Sequence, residues 1–333
     1  MAKAIEFYLN TMVVVFGGPL NILVIVVQAL SNRIHGYSTA AVYMTNLSVA
    51  NLLTVCILPI ISLSNAGYIT VEIHMCRFAA LLYYTSCTAS FVTIGIIALD
   101  RYRIIHAKNK PKRNALGYCY VTIFVLWAAA TMMGTPAPIH TLVMAHDELQ
   151  QNENGYHTCV LFFDHDQVKT LFVTFKILMC VIWGIVPVAV MTWFYVFFYK
   201  TLHRVSYKKR SKTLTFICVL LLSFLMLQTP YVIVSLFDAY ALSTWSLTCD
   251  NINHREAVIA LSRVTPNFHC LLNPILYAFV GNDFLAKLKQ CYRGELFSKR
   301  AFTRAQQTAA SNAAGSGNTR TLQRALRTSQ MNK

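Results

Sequence analysis

Asp, Glu, Lys and Arg are absent from seven stretches of at least 19 residues: 7–32, 34–71, 78–99, 114–146, 177–199, 213–237 and 264–282. A helix needs about 20 residues to cross a bilayer, so each stretch predicts one span. The second is long, but two spans within 34–71 would leave no room for a turn. Pro59 and the polar Ser62-Leu63-Ser64-Asn65 instead place a loop after a single span. The expected fold is an all-α membrane protein, a seven-transmembrane helix bundle.

Composition agrees. The 333 residues are 56% hydrophobic and only 13% charged, with mean hydropathy +0.47, against about 25% charged residues in soluble domains. That is too little charge to build a wet surface, which excludes a soluble enzyme or a disordered scaffold. The net charge of +16 would suit an anionic partner, but its distribution assigns it elsewhere. Of the 29 basic residues, 23 fall between spans 1 and 2, 3 and 4, 5 and 6, or after span 7. Only Asp100, Asp283 and Glu295 join them on that side. The excess is positive-inside topology, with the N-terminus outside, the C-terminus cytoplasmic and no nucleic-acid footprint.

The expected organisation is an extracellular N-terminus at 1–4, a bundle at 5–281, a membrane-surface helix at 282–292 and a largely disordered tail at 293–333. The first apolar run is too long for a signal-peptide core and reads as span 1. Asn46-Leu47-Ser48 lies inside span 2, out of reach of glycosylation. Three cysteines face outward: Cys76, Cys159 and Cys249. An oxidising exterior favours pairing, and Cys76–Cys159 would tie the longest outer loop to the third span, leaving Cys249 odd. The histidines near that loop lack ligand spacing, so no metal site is expected.

Polar groups within spans are costly and usually functional. Asp100-Arg101-Tyr102 closes span 3, and Cys76 lies 25 residues earlier, about 37 Å along one helix. Span 7 contains Asn273-Pro274-Ile275-Leu276-Tyr277. Pro187, Pro230 and Pro274 interrupt spans 5, 6 and 7, each removing a backbone donor. The amphipathic run from Gly281 to Cys291 reads as a helix on the inner leaflet, with Cys291 available for palmitoylation.

With these motifs the chain resembles the rhodopsin-like (class A) G-protein-coupled receptors over about residues 5–291. Asn21, Asn46-Leu47, Trp127, Pro187, Tyr195, Phe224 and Pro230 stand at further landmarks. Pro59, Tyr43-Met44-Thr45-Asn46-Leu47, Gln228-Thr229-Pro230-Tyr231 and His269-Cys270-Leu271-Leu272-Asn273-Pro274 look most like the chemokine-receptor-like receptors of cytomegaloviruses and related betaherpesviruses. The resemblance implies a multi-pass protein of the host plasma membrane, and also of the virion envelope. Its partner would be the C-terminal helix of a G-protein α subunit, with membrane lipids and receptor oligomers as further partners. Asp100, Arg101, Tyr102, Tyr195, Asn273, Pro274 and Tyr277 would carry coupling; Asn51, Ser90, Pro187, Phe224, Gln228 and Pro230 would form the activation core.

Departures from the family sharpen this expectation. Where relatives place an Asp in span 2 that helps hold sodium, this chain has Asn51, expected to face Ser90 and Asn273. A desolvated cation needs formal charge or several good oxygens, so sodium should bind weakly or not at all, and no other cofactor is implied. The usual span-6 Trp is Gln228, and Lys208-Lys209-Arg210 stand where an acid would lock Arg101. The expected result is ligand-independent signalling; the alternative is a chemokine-binding or decoy receptor. Tyr83, Tyr84, Tyr231 and Arg263 are the expected ligand pocket, although Arg263 stands where chemokine receptors often carry an acid. Span 7 has no Lys for a retinal Schiff base, and no constellation supports catalysis.

Overall fold

The computed structural model describes residues 2–106, 115–136, 141–145, 157–161, 166–201, 207–244, 252–280 and 282–294. At Arg101, Tyr102, Tyr195 and Tyr277 it describes the helix and not the side chain. The first span comprises α1 (Ala2–Met12), a π turn (Val13–Gly17) and α2 (Gly18–His35). α3 (Thr39–Asn65), α4 (Ile73–His106) and α5 (Ala115–Gly134) follow. A hairpin of β1 (Thr141–Ala145) and β2 (His157–Leu161) comes next. The fifth span is α6 (Asp166–Cys180), a π turn (Val181–Ile185) and α7 (Val186–Thr201). α8 (Tyr207–Thr244) is the sixth, α9 (Ile252–Asn267) with α10 (His269–Val280) the seventh, and α11 (Asn282–Tyr292) a separate short helix.

Six helical segments among the described residues are long and apolar enough to cross a membrane. The seventh span misses that count because it is broken at Phe268, two residues after Pro266. There the chain tightens into a turn, with Leu271 N–H donating to the Phe268 carbonyl at 3.1 Å. The helices overrun their charge-free stretches at several ends: α4 begins at Ile73, α6 at Asp166 and α9 at Ile252. Freedom from charge marks the hydrocarbon slab, whereas helical hydrogen bonding continues into the interface.

The stretch 114–146 is a correction in the other direction. Its helix ends at Gly134, and 141–145 is a strand paired antiparallel to 157–161, with Val143 opposite Cys159. Pro136 and Pro138 stand just past the helix, where missing N–H groups and ring clashes stop it. The hairpin packs against the outer ends of α3 and α4.

α4 is the central rod, touching α3, α5, α7 and the hairpin; α1 packs on α9 and closes the ring. Phe124, Met226 and Phe237 stay largely exposed, as a lipid-facing surface requires, while hydrogen bonds within each rod satisfy its backbone. At the turn between the first two spans Gly36 (φ 79°) ends α2, in a conformation that favours glycine, and Ser38 Oγ caps α3 by accepting from Ala41 N–H at 3.2 Å.

Spans 5 and 6 approach closely at Gly184 within the second π turn. A Cβ there would lie 2.6 Å from Val232 Cγ2, whereas one on Gly117 would meet nothing within 4 Å. Gly184→Ala should therefore cost about 1–3 kcal/mol, while Gly117→Ala should leave stability unchanged or slightly raised. Thermal unfolding of the two variants in one detergent checks this.

Candidate functional site

The inner half of the bundle is built around Asn21. Gly17 brings the first span close enough to the seventh that a Cβ there would sit 3.5 Å from the Cys270 backbone. Across that approach the Asn21 amide donates to two carbonyls, Gly17 O at 2.8 Å and Cys270 O at 2.7 Å. Two carbonyl acceptors fix the orientation, because only the NH2 end can face both. Asn21 Oδ1 must therefore point away, and there it accepts from Asn51 Nδ2 at 3.0 Å. Asn51 Oδ1 in turn accepts from Ser90 Oγ at 3.0 Å. Asn21, Asn51 and Ser90 are all fully buried, and one neutral chain of hydrogen bonds joins spans 1, 2, 3 and 7.

Asn273 does not close this chain. It is buried, and its Nδ2 has no hydrogen-bond partner among the described residues. A second junction lies beside the first: Asn46 donates to Thr93 and accepts from Trp127 Nε1, both at 2.9 Å, joining α3, α4 and α5.

Gln228 is 2% exposed, and neither end of its amide finds a partner among the described residues. The large aromatic of the core comes from span 5 instead. Trp183, on the second π turn, is 1% exposed and donates to Thr88 Oγ1 at 2.8 Å. Its ring packs on Phe91 at 5.4 Å between centroids, and Phe91 meets Phe224 at 5.6 Å and His269 at 4.7 Å. Nothing along the chain signals this substitution: a π turn adds one residue per turn and re-aims the side chains after it without marking an apolar block. Pro187 follows at the start of α7, and Pro230 and Pro274 lie inside α8 and α10.

In the outer half, Tyr83, Tyr84 and Tyr231 pack onto Trp183 at 6.2, 5.4 and 5.7 Å. These rings form one aromatic layer. Tyr83 donates to Asn267 at 2.9 Å, and Asn267 continues through Asn10 to Ser62. Arg263 stands 3.8 Å from the buried carboxylate of Glu6, which also accepts from Asn65. Lys176 pairs with Asp238 across spans 5 and 6. Sequence reasoning missed that ion pair, although each partner directly abuts a charge-free stretch on the outer side. Cys76 is buried and disulfide-bonded; the side chain of Cys159 lies outside the described residues.

Near the C-terminal end of α4, Asp100 accepts from Thr39 Oγ1 at 3.1 Å. Thr39 is the first residue of α3, so the carboxylate sits at the positive end of a helix dipole. Arg101, Tyr102, Tyr195 and Tyr277, expected to work with it, have side chains outside the described residues. Lys287 donates to Gln28 at 3.0 Å and ties α11 to α2, with Cys291 half-buried against the core and its thiol free.

This geometry makes Asn51→Asp a sharp test. The introduced carboxylate would face Asn21 Oδ1, an acceptor against an acceptor in a buried site. The variant should lose about 1–3 kcal/mol of stability near neutral pH. A protonated acid can donate to Asn21 where a carboxylate cannot, so the deficit should shrink as pH falls. Thermal unfolding of the variant and the parent from pH 5 to 8 measures it.

The family description "7 transmembrane receptor (rhodopsin family)" matches residues 20–277. The chain is 44% identical over 335 residues to the G-protein coupled receptor homolog UL33 of human cytomegalovirus (strain Merlin), covering 99% of this chain and 81% of that protein. It is 48% identical over 300 residues to the homolog R33 of rat cytomegalovirus (strain Maastricht), covering 90% and 77%. To human C-C chemokine receptor type 1 it is 28% identical over 287 residues, covering 85% and 78%. The motifs, the helical bundle and these likenesses agree: the chain belongs to the rhodopsin family of seven-transmembrane receptors, in its viral, chemokine-receptor-like branch.

Proposed function

We propose that this receptor activates heterotrimeric G proteins and does so without requiring a ligand. The observation that carries the proposal is the neutral junction of Asn21, Asn51 and Ser90. Where the family pattern puts a carboxylate and sodium to favour the resting state, this core holds only neutral groups. The oxygens of Asn21 and Asn51 already accept hydrogen bonds, and the unpartnered atom of Asn273 is a donor. Such a donor set does not fit a sodium ion, and no step of the mechanism runs through one. Gln228 replaces the span-6 Trp, and Lys208-Lys209-Arg210 offer Arg101 no acid. A two-state bundle lacking these biases populates its active form spontaneously.

In the mechanism, the cytoplasmic end of α8 swings outward. Arg101 leaves Asp100, whose carboxylate keeps Thr39 and the α3 N-terminus as partners, and packs with Tyr195 and Tyr277. The cleft receives the C-terminal helix of a Gα subunit, and the basic segments 103–113 and 200–212 contact that partner and inner-leaflet lipid. The Cys76–Cys159 disulfide holds the outer end of α4, palmitoylation of Cys291 anchors α11, and the setting is the host plasma membrane.

A second reading, a chemokine-binding or decoy receptor, draws on the likeness to C-C chemokine receptor type 1. GTPγS exchange on purified receptor with each Gα class, without ligand, separates the two. Exchange well above receptor-free controls with at least one class is expected, and Arg101→Ala should abolish it. Exchange with none would favour the decoy.

A further inference from the structure

Spans 5 and 6 do not meet evenly along their length. Towards the C-terminal end of α8 the Lys176 ammonium pairs with the Asp238 carboxylate, with 21% and 4% of the two side chains exposed. Further along the seam the Cys180 thiol donates to the Val232 carbonyl at 3.9 Å, and Gly184 packs on Val232 with no room for a Cβ. Past Gly184 the two helices part around a crevice of about 590 Å³, with Ile185, Val188 and Ala189 on one wall and Leu225 and Thr229 on the other. Pro230 lies in the same stretch of α8 and withholds the N–H that the Met226 carbonyl would otherwise accept.

These contacts resist separation very differently. Apolar side chains that part inside a bilayer meet acyl chains of the same polarity, so little opposes their parting. An ion pair has no such substitute. Drawn apart, each charge would lose its counter-charge in a poorly solvated site. The cost falls most heavily on Asp238, whose side chain is almost sealed.

We propose that Lys176 and Asp238 are positioning residues for the swing of span 6. They clamp the C-terminal part of α8 to α6, so that the helix moves against span 5 only on the side of Gly184 where the crevice lies. The swing itself rests on the G-protein reading above; the clamp stands on the geometry alone. The pair stays closed in the resting and active forms alike, unlike a lock that opens on activation. Neutralising one partner frees the C-terminal part of α8 from span 5, and exchanging the two charges restores the hold.

The test measures distances in the full-length receptor in phosphatidylcholine nanodiscs, by pulsed electron paramagnetic resonance. Spin labels carried on unnatural amino acids spare the native cysteines. One pair replaces Ile177 and Phe237, beside the clamp; the other replaces Val196 and Leu222, towards the opposite ends of α7 and α8. All four side chains are exposed on the bundle surface. The 177–237 distance should form one narrow distribution that nucleotide-free G-protein heterotrimers of each Gα class leave unchanged. The 196–222 distribution should be broader and shift to longer distances with at least one class. Asp238→Asn should about double the width of the 177–237 distribution, and Lys176→Asp combined with Asp238→Lys should narrow it again. A pair that merely stabilised the fold would lower the unfolding temperature on mutation without widening that distance. In the unmutated receptor, a 177–237 distribution as broad as the 196–222 one, or one that lengthens with G protein, would overturn the clamp. So would a distribution that Asp238→Asn leaves narrow. A 196–222 distance that stays narrow and unmoved by every heterotrimer would instead overturn the G-protein reading, with the clamp still decided by the first pair.

Discussion

Both N–H bonds of the Asn21 amide are committed to backbone carbonyls, one in its own span and one in the seventh. That commitment dictates what the neighbouring spans can present. Asn21 Oδ1 is left as an acceptor in a buried core, and the second span offers it a donor. That donor is Asn51, and its own oxygen then requires the hydroxyl of Ser90. Each bond is modest, with membrane interhelical hydrogen bonds averaging about 0.6 kcal/mol. Leaving any one of these groups unpaired costs more than the bond contributes. The chain of amides is thus consistent with neutrality at residue 51 and inconsistent with an ionised acid there.

The same logic runs through the bundle centre. Span 6 gives up its bulky aromatic for Gln228, and Trp183 of span 5 fills the core against Phe91, anchored by Thr88. The packing weight moves from the helix expected to swing to one adjoining it. Gln228 is left with two polar atoms that the surrounding side chains do not serve, and nearby the Asn273 Nδ2 also lacks a partner among the described residues. A core with unmet hydrogen bonds at the hinge of span 6 is less committed to one arrangement than a closed one.

Much of this was legible in the sequence, for identifiable reasons. The bilayer excludes charge, so charge-free stretches located the spans. The proline positions stood out because each breaks a local rule, and Asn51 because it departs from the family pattern. Partner choice was not legible: Asn51 was expected to face Ser90 and Asn273, and the structure keeps Ser90 but puts Asn21 in place of Asn273, because the first span closes on the seventh at Gly17. The π turns left no mark in apolar blocks. The hairpin within 141–161 was hidden by reading freedom from charge as continued helix. Lys176 and Asp238 each looked like an ordinary boundary charge until the fold brought them to one level.

The central claim is that neutral groups at Asn51 and Gln228 leave the resting state unfavoured. Its most direct measurement is second-messenger output, per receptor at the cell surface and without ligand, for the unmodified chain and for Asn51→Asp/Gln228→Trp. The account predicts clear basal output from the unmodified receptor and a several-fold fall in the double variant. Basal output equal to that of empty vector, or output that the two substitutions leave unmoved, would contradict it.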